Sequence, residues 1–82
     1  MKGTWGKIIE YASSPLHGSL SRSLRKGVRV QVNEGKIYES ATLFLGEEFV
    51  RFTENIGSEA LNTYFDWGKI ESVRTYSLKE KS

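Results

Sequence analysis

Val28, Val30 and Val32 alternate with Arg29, Gln31 and Asn33, the period of two that marks a strand with one buried face. Asn33-Glu34-Gly35 reads as a turn, with glycine in third place suiting the left-handed residue of a three-residue hairpin loop. The next segment, Lys36 to Leu45, is therefore expected to pair antiparallel with the first strand. It ends in Leu43-Phe44-Leu45, apolar on both faces, as in a central strand that bends sharply and is covered twice. Gly46-Glu47 closes a second tight hairpin, and Phe49, Val50 and Phe52 carry the third strand. Asn55 to Ala60 reads as a loop. Leu61, Tyr64, Phe65 and Trp67 then form an aromatic fourth strand broken by Gly68. Ile70 and Val73 are three apart, which suits a brief 3₁₀ turn before a last strand ending near Tyr76.

Ahead of these strands, Ser14-Pro15 reads as a helix start, with serine accepting from orphan amides and proline pre-set at the first helical position. Leu16, Leu20 and Leu24 follow as a narrow apolar stripe, Arg22, Arg25 and Lys26 project from other faces, and Gly27 suits the C-terminal stop. Residues 1–14 form an arm whose Trp5, Ile8, Ile9 and Tyr11 leave strand and helix undecided. The tail, Ser77 to Ser82, is charged and expected to fray. The fold class is all-β: an N-terminal α-helix followed by five strongly bent antiparallel strands in a small SH3-like barrel over residues 15–76.

The chain has 82 residues, fewer than the ~100 to 200 of an average domain, so one core is expected. A fold this small buries only roughly 60 % of its unfolded surface and usually gains support from disulfides, a metal or self-association. The sequence has no cysteine and one histidine, His17, which leaves association; neither a metal nor a cofactor is expected. It has no apolar run of signal-peptide or membrane-helix length, so a cytoplasmic protein with no membrane partner is expected. Charge is uneven. Residues 1–36 hold seven Lys/Arg and two Glu, a net +5, whereas residues 37–82 hold five Lys/Arg and eight acids, a net −3. A basic half can mark a polyanion partner, through counterion release at phosphates, or a solvated surface.

Pro15-Leu16, Leu20 and Ser23-Leu24, then Val28-x-Val30-x-Val32-x-x-Gly35, then Leu43, resemble in order and spacing the first motif of the Sm-like family, the Sm, Lsm and Hfq proteins. Trp67-Gly68 looks like the Arg-Gly of the second motif, and Ile70-x-x-Val73 like the hydrophobic pair leading into the last strand. The resemblance implies rings of five to eight subunits, the fourth strand of one protomer pairing with the fifth of the next, and RNA binding in many members. Family base pockets use an aspartate and an asparagine between strands two and three, plus the arginine of Arg-Gly. Gly46-Glu47-Glu48 lacks that loop and Trp67 replaces the arginine, so the usual uridine pocket is not expected.

No enzyme motif is present: no Cys-His pair, no Gly-x-Ser-x-Gly and no phosphate-binding glycine loop. Glu47 and Glu48 are adjacent rather than opposed, and read as turn solvation. The chain is thus expected to be a non-enzymatic homo-oligomeric ring with no small-molecule substrate, binding single-stranded RNA through a basic face. The alternatives are a ring that scaffolds proteins without nucleic acid, and a small ligand- or peptide-binding barrel. Candidate RNA contacts are Arg22, Arg25, Lys26 and Arg29, with Trp67 and Lys69 flanking Gly68; for Trp67 an interface or core role is favoured over base stacking, given its apolar neighbours Tyr64 and Phe65. Candidate interface residues are Leu61, Tyr64, Phe65, Trp67, Val73 and Tyr76.

Overall fold

The computed structural model describes residues 2–79. The helix lies in the arm. It is α1, Gly3–Tyr11, where Trp5, Ile8, Ile9 and Ala12 fall at i, i+3, i+4 and i+7 on one face. Ile9 and Ala12 are buried and Trp5 packs against the same core.

The helix expected over residues 15–27 is not formed. Ser13–Pro15 (β1) and Arg22–Leu24 (β2) make an antiparallel pair instead, with Ser13 opposite Leu24. Of the leucine stripe only Leu24 is buried; Leu20 is 84 % exposed. A helix here would have to carry Gly18 and Ser19, Ser21 and Ser23, poor helix formers that favour local turns. Gly18 adopts φ +71° and the Ser19 hydroxyl accepts from the Ser21 amide at 2.9 Å, so residues 16–21 turn the chain back.

Six further strands follow: β3 Arg29–Val32, β4 Ile37–Tyr38, β5 Thr42–Leu45, β6 Phe49–Ile56, β7 Glu59–Asp66 and β8 Val73–Tyr76. They form a five-stranded antiparallel sheet in the order β1-β2-β5-β6-β7 and a three-stranded one in the order β4-β3-β8. The long strand expected over Lys36 to Leu45 is broken at Glu39–Ala41, and its two halves enter different sheets. β2 and β3 are likewise parted by a turn at Arg25–Val28, where Gly27 takes φ +82°. These two corners fold one sheet over the other. The five expected strands are therefore six, β3 to β8, and the segment expected as a helix adds β1 and β2.

Two turns also differ from expectation. The left-handed residue after β3 is Asn33, at φ +56°, rather than Gly35. The loop expected over Asn55 to Ala60 shrinks to Gly57-Ser58, because β6 and β7 stay paired to Ile56 and Glu59. Asn33 has a second task. Its Oδ1 accepts from the amides of Glu71 (2.6 Å) and Ser72 (3.2 Å) and its Nδ2 donates to the Lys69 carbonyl (3.3 Å), tying the first hairpin to the approach of β8. The 3₁₀ turn spans Trp67–Lys69.

Ile9, Val30, Val32, Leu43, Val50, Phe52 and Trp67 are the innermost apolar side chains. Tyr38 stacks on Phe52 at 4.3 Å between ring centroids, and Phe65 meets both edge-on. Ser77–Lys79 follow β8 without regular structure, Leu78 exposed; the end of the tail, residues 80–82, lies outside the described residues.

Trp67 is 1 % exposed, and its indole N–H donates to the Gly46 carbonyl at 2.9 Å. Trp67→Ala is expected to cost about 3 to 5 kcal/mol, the range for a buried large side chain. Urea unfolding followed by circular dichroism checks it; a loss under 1 kcal/mol would be inconsistent with a core role.

Candidate assembly edges and basic surface

A sheet edge is defined by what its backbone leaves unpaired. Four strands are outermost: β1, β4, β7 and β8. The first two make poor templates, since β1 spans three residues and carries Pro15, and β4 spans two. β7 is eight residues long without proline, and β8 is four. Long, unblocked edges of this kind invite a further strand.

The direction of their free groups follows from the ladder. The Asn33 amide donates to the Ser72 carbonyl at 2.7 Å, in register with the β3–β8 pairs. Hydrogen-bonded and non-bonded pairs alternate in antiparallel sheets, so Arg74 and Tyr76 turn their backbone groups to β3, while Val73 and Thr75 turn theirs outward. Similarly, the Trp67 amide donates to the Glu48 carbonyl at 3.0 Å and continues the β6–β7 register. Ala60, Asn62 and Tyr64 therefore present the outward groups of β7.

The expected interface side chains divide. Leu61 and Tyr64 are exposed, at 45 % and 58 %. Phe65 and Val73 pack against the protein's own core, and Trp67 lies within it, so the structure assigns these three to internal packing in the protomer. Tyr76 is half-buried, with its hydroxyl donating to Gln31 Oε1 at 3.1 Å.

The basic residues also divide. Arg22 is committed to the helix end: Nε donates to Ser13 Oγ at 2.8 Å, and one terminal nitrogen donates to the carbonyls of Glu10 and Ser13 at 3.2 Å each. Ser13 Oγ in turn donates to the Ile9 carbonyl at 2.7 Å. A guanidinium here satisfies orphan carbonyls and opposes the negative end of the helix dipole. Arg25 and Lys26 are exposed in the turn before β3, and Arg29 at the start of β3 lies 5.0 Å from the Tyr76 ring centroid. Lys69 is exposed beside Asn33, past the other end of β3 and so ~13 Å away along the strand. Trp67 is internal and offers no face to a base. The six expected RNA contacts thus do not converge; Arg25, Lys26 and Arg29 form the compact group.

No protein-family model, curated protein or solved structure matches this chain. Its possible chemistry therefore rests on its own residues. Among the described residues, no group of three His, Cys, Asp or Glu side chains comes close enough to hold a metal ion, and no helix is long and apolar enough to cross a membrane. His17, Glu47 and Glu48 are exposed.

One cluster escaped sequence reasoning. Phe44, Phe49, Arg51 and Tyr64 share the outer face of the larger sheet, with Arg51 opposite Phe44 on one side and Tyr64 on the other. The Arg51 guanidinium carbon is 5.5 Å from the Phe44 centroid, and its Nε is buried without a hydrogen-bond partner. Alternation along β5 and β6 carried this signal, but only once the register was known.

Arg22→Gln is expected to lower stability by about 1 to 3 kcal/mol, the cost of unpairing buried polar groups, while leaving any RNA affinity unchanged. Urea unfolding and a filter-binding titration separate the two effects; a stable variant with weakened RNA binding would return Arg22 to the RNA surface.

Proposed function

We propose that this chain is a divergent Sm-like protein that assembles edge to edge into a homo-oligomeric ring and acts as a non-enzymatic scaffold for single-stranded RNA. The observation carrying this reading is the pair of proline-free outer strands, eight-residue β7 and four-residue β8, with outward amides at Ala60, Asn62, Tyr64, Val73 and Thr75. Two features of the fold support the family. The helix comes first in the chain, and treating β2 with β3 and β4 with β5 as single bent strands gives the spatial order fifth, first, second, third, fourth. In the Sm-like scheme β7 is the fourth strand and β8 the fifth, so β7 of one copy would pair with β8 of the next. Head-to-tail pairing of this kind closes when the rotation per subunit divides the circle. It would also supply burial that a small fold lacks.

Phosphate contacts are the mode of RNA binding that these residues favour. Arg25, Lys26 and Arg29 are exposed and take part in no ion pair among the described residues, and such contacts hold a polyanion without reading its sequence. Base preference is expected to be weak, because Trp67 is internal. Glu47 and Glu48, exposed on the β5–β6 hairpin, favour the second reading, a ring that scaffolds proteins without nucleic acid.

Two measurements test the proposal. Thr75→Pro removes an outward amide without touching the β3–β8 ladder, so sedimentation is expected to give a smaller species with an unchanged circular dichroism spectrum. A parent protein already monomeric at micromolar concentration would overturn the ring. Oligouridine and oligoadenine affinity is expected to fall steeply between about 50 and about 200 mM salt, and Arg25→Gln with Lys26→Gln should flatten that slope. No binding to either oligonucleotide at low salt would leave the protein-only scaffold.

A further inference from the structure

Tyr11 ends α1 and is 76 % exposed, an aromatic ring projecting from a helix whose other apolar side chains are wholly or partly buried. It borders a shallow groove of about 320 Å³ whose lining also includes Ile8, Val28, Thr75 and Ser77. The groove thus runs along the C-terminal end of β8. Separately, the β6–β7 hairpin tip holds a hollow of about 430 Å³ lined by Ile56, Glu59, Ala60 and Leu61. Ile56 is 54 % exposed there. A projecting tyrosine, with an apolar ring and a polar hydroxyl, and a hollow of mixed polarity, each unused within the protomer, are the two halves of an interface anchor.

We infer that Tyr11 of one copy seats in the hairpin-tip hollow of the next, locking the β7–β8 pairing at one end; the inference rests on the edge-to-edge reading above. The strand geometry permits this partner. When β7 joins β8 antiparallel, residues with outward backbone groups face one another. Parity allows several registers; the anchor requires the one that sets Asn62 opposite Thr75, Tyr64 opposite Val73, and Ala60 opposite Ser77. Ala60 lines the hollow and Ser77 lines the groove beside Tyr11, so one register brings both features to the same end of the joint. Parallel pairing would carry the tip to the other end of β8. Charge agrees with the contact. Lys7 lies one helical turn before Tyr11 on the same face, and Glu59 rims the hollow, although Glu10 is also exposed beside Tyr11. The charge division between the two halves of the chain, +5 over residues 1–36 and −3 over residues 37–82, follows the same polarity.

The absence of cysteine makes directed cross-linking clean. Tyr11→Cys and Ala60→Cys are made separately, since both sites are exposed, and mixed under mild oxidation at a concentration where the parent is oligomeric. A covalent heterodimer in the mixture, with little cross-linking of either variant alone, is expected. Ser77→Cys mixed with Ala60→Cys reports the strand register independently. Tyr11→Ala is expected to raise the concentration of half-dissociation about tenfold or more, with an unchanged circular dichroism spectrum. An oligomeric parent whose Tyr11→Ala variant dissociates at the same concentration, and whose Tyr11→Cys and Ala60→Cys variants do not cross-link, overturns the anchor and leaves the edge-to-edge assembly standing. Tyr11→Cys cross-linking alone as readily as in the mixture overturns it in favour of a face-to-face contact. A monomeric parent overturns both the anchor and the ring.

Discussion

The hydrogen bond from the Trp67 indole to the Gly46 carbonyl is the joint on which the arrangement of both free edges depends. It pins the β5–β6 hairpin to the start of the 3₁₀ turn, in the interior, where a lost partner cannot be replaced by water. Gly46 also lets that hairpin close tightly: a Cβ there would lie 3.1 Å from the Phe49 carbonyl oxygen and 3.3 Å from its ring. From that joint the chain leaves β7, turns through Trp67–Lys69 and meets the Asn33 side chain, which holds the Glu71 and Ser72 amides. β8 is thereby delivered to β3 rather than continuing beside β7. The two strands come to border different sheets, each with one side unpaired.

How much of this was legible in the sequence depends on the range over which each signal acts. Val28 to Val32, the hairpin at Gly46, the aromatic segment before Gly68 and the last strand all declared themselves through local alternation and turn residues, and each stands close to where the pattern put it. The helix did not. Leu16, Leu20 and Leu24 have helical spacing, as do Trp5, Ile8, Ile9 and Ala12, and spacing alone does not choose between two such stripes. The choice falls to Arg22, which closes the end of the first helix only when β2 folds back on β1. That is a long-range contact with no local trace.

The site follows the same division. Exposure of Leu61 and Tyr64 on an outer strand could be reached from an aromatic strand late in the chain. The burial of Trp67 could not be separated from its alternatives, because a tryptophan beside Gly68 looks the same in sequence whether it packs inward, meets a neighbouring copy or stacks on a base. The corner at Glu39–Ala41 was hidden for a related reason. A strand crossing from one sheet to another keeps its apolar residues, so hydrophobic pattern shows the two halves as one.

The hairpin of β6 and β7 bears on the order in which the molecule forms. Its partners lie between 3 residues apart, at Ile56 and Glu59, and 17 apart, at Phe49 and Asp66, whereas β3 and β8 meet across 41 to 47 residues, from Val32–Val73 to Arg29–Tyr76. Closing a 41-residue loop rather than a 3-residue one costs about 2 kcal/mol more in chain entropy, and local contacts form earlier. The newly made chain therefore presents a finished β7 edge while β8 is still unattached. Molecules synthesised close together then meet at their most adhesive, and dilution early in refolding protects them from pairing out of turn.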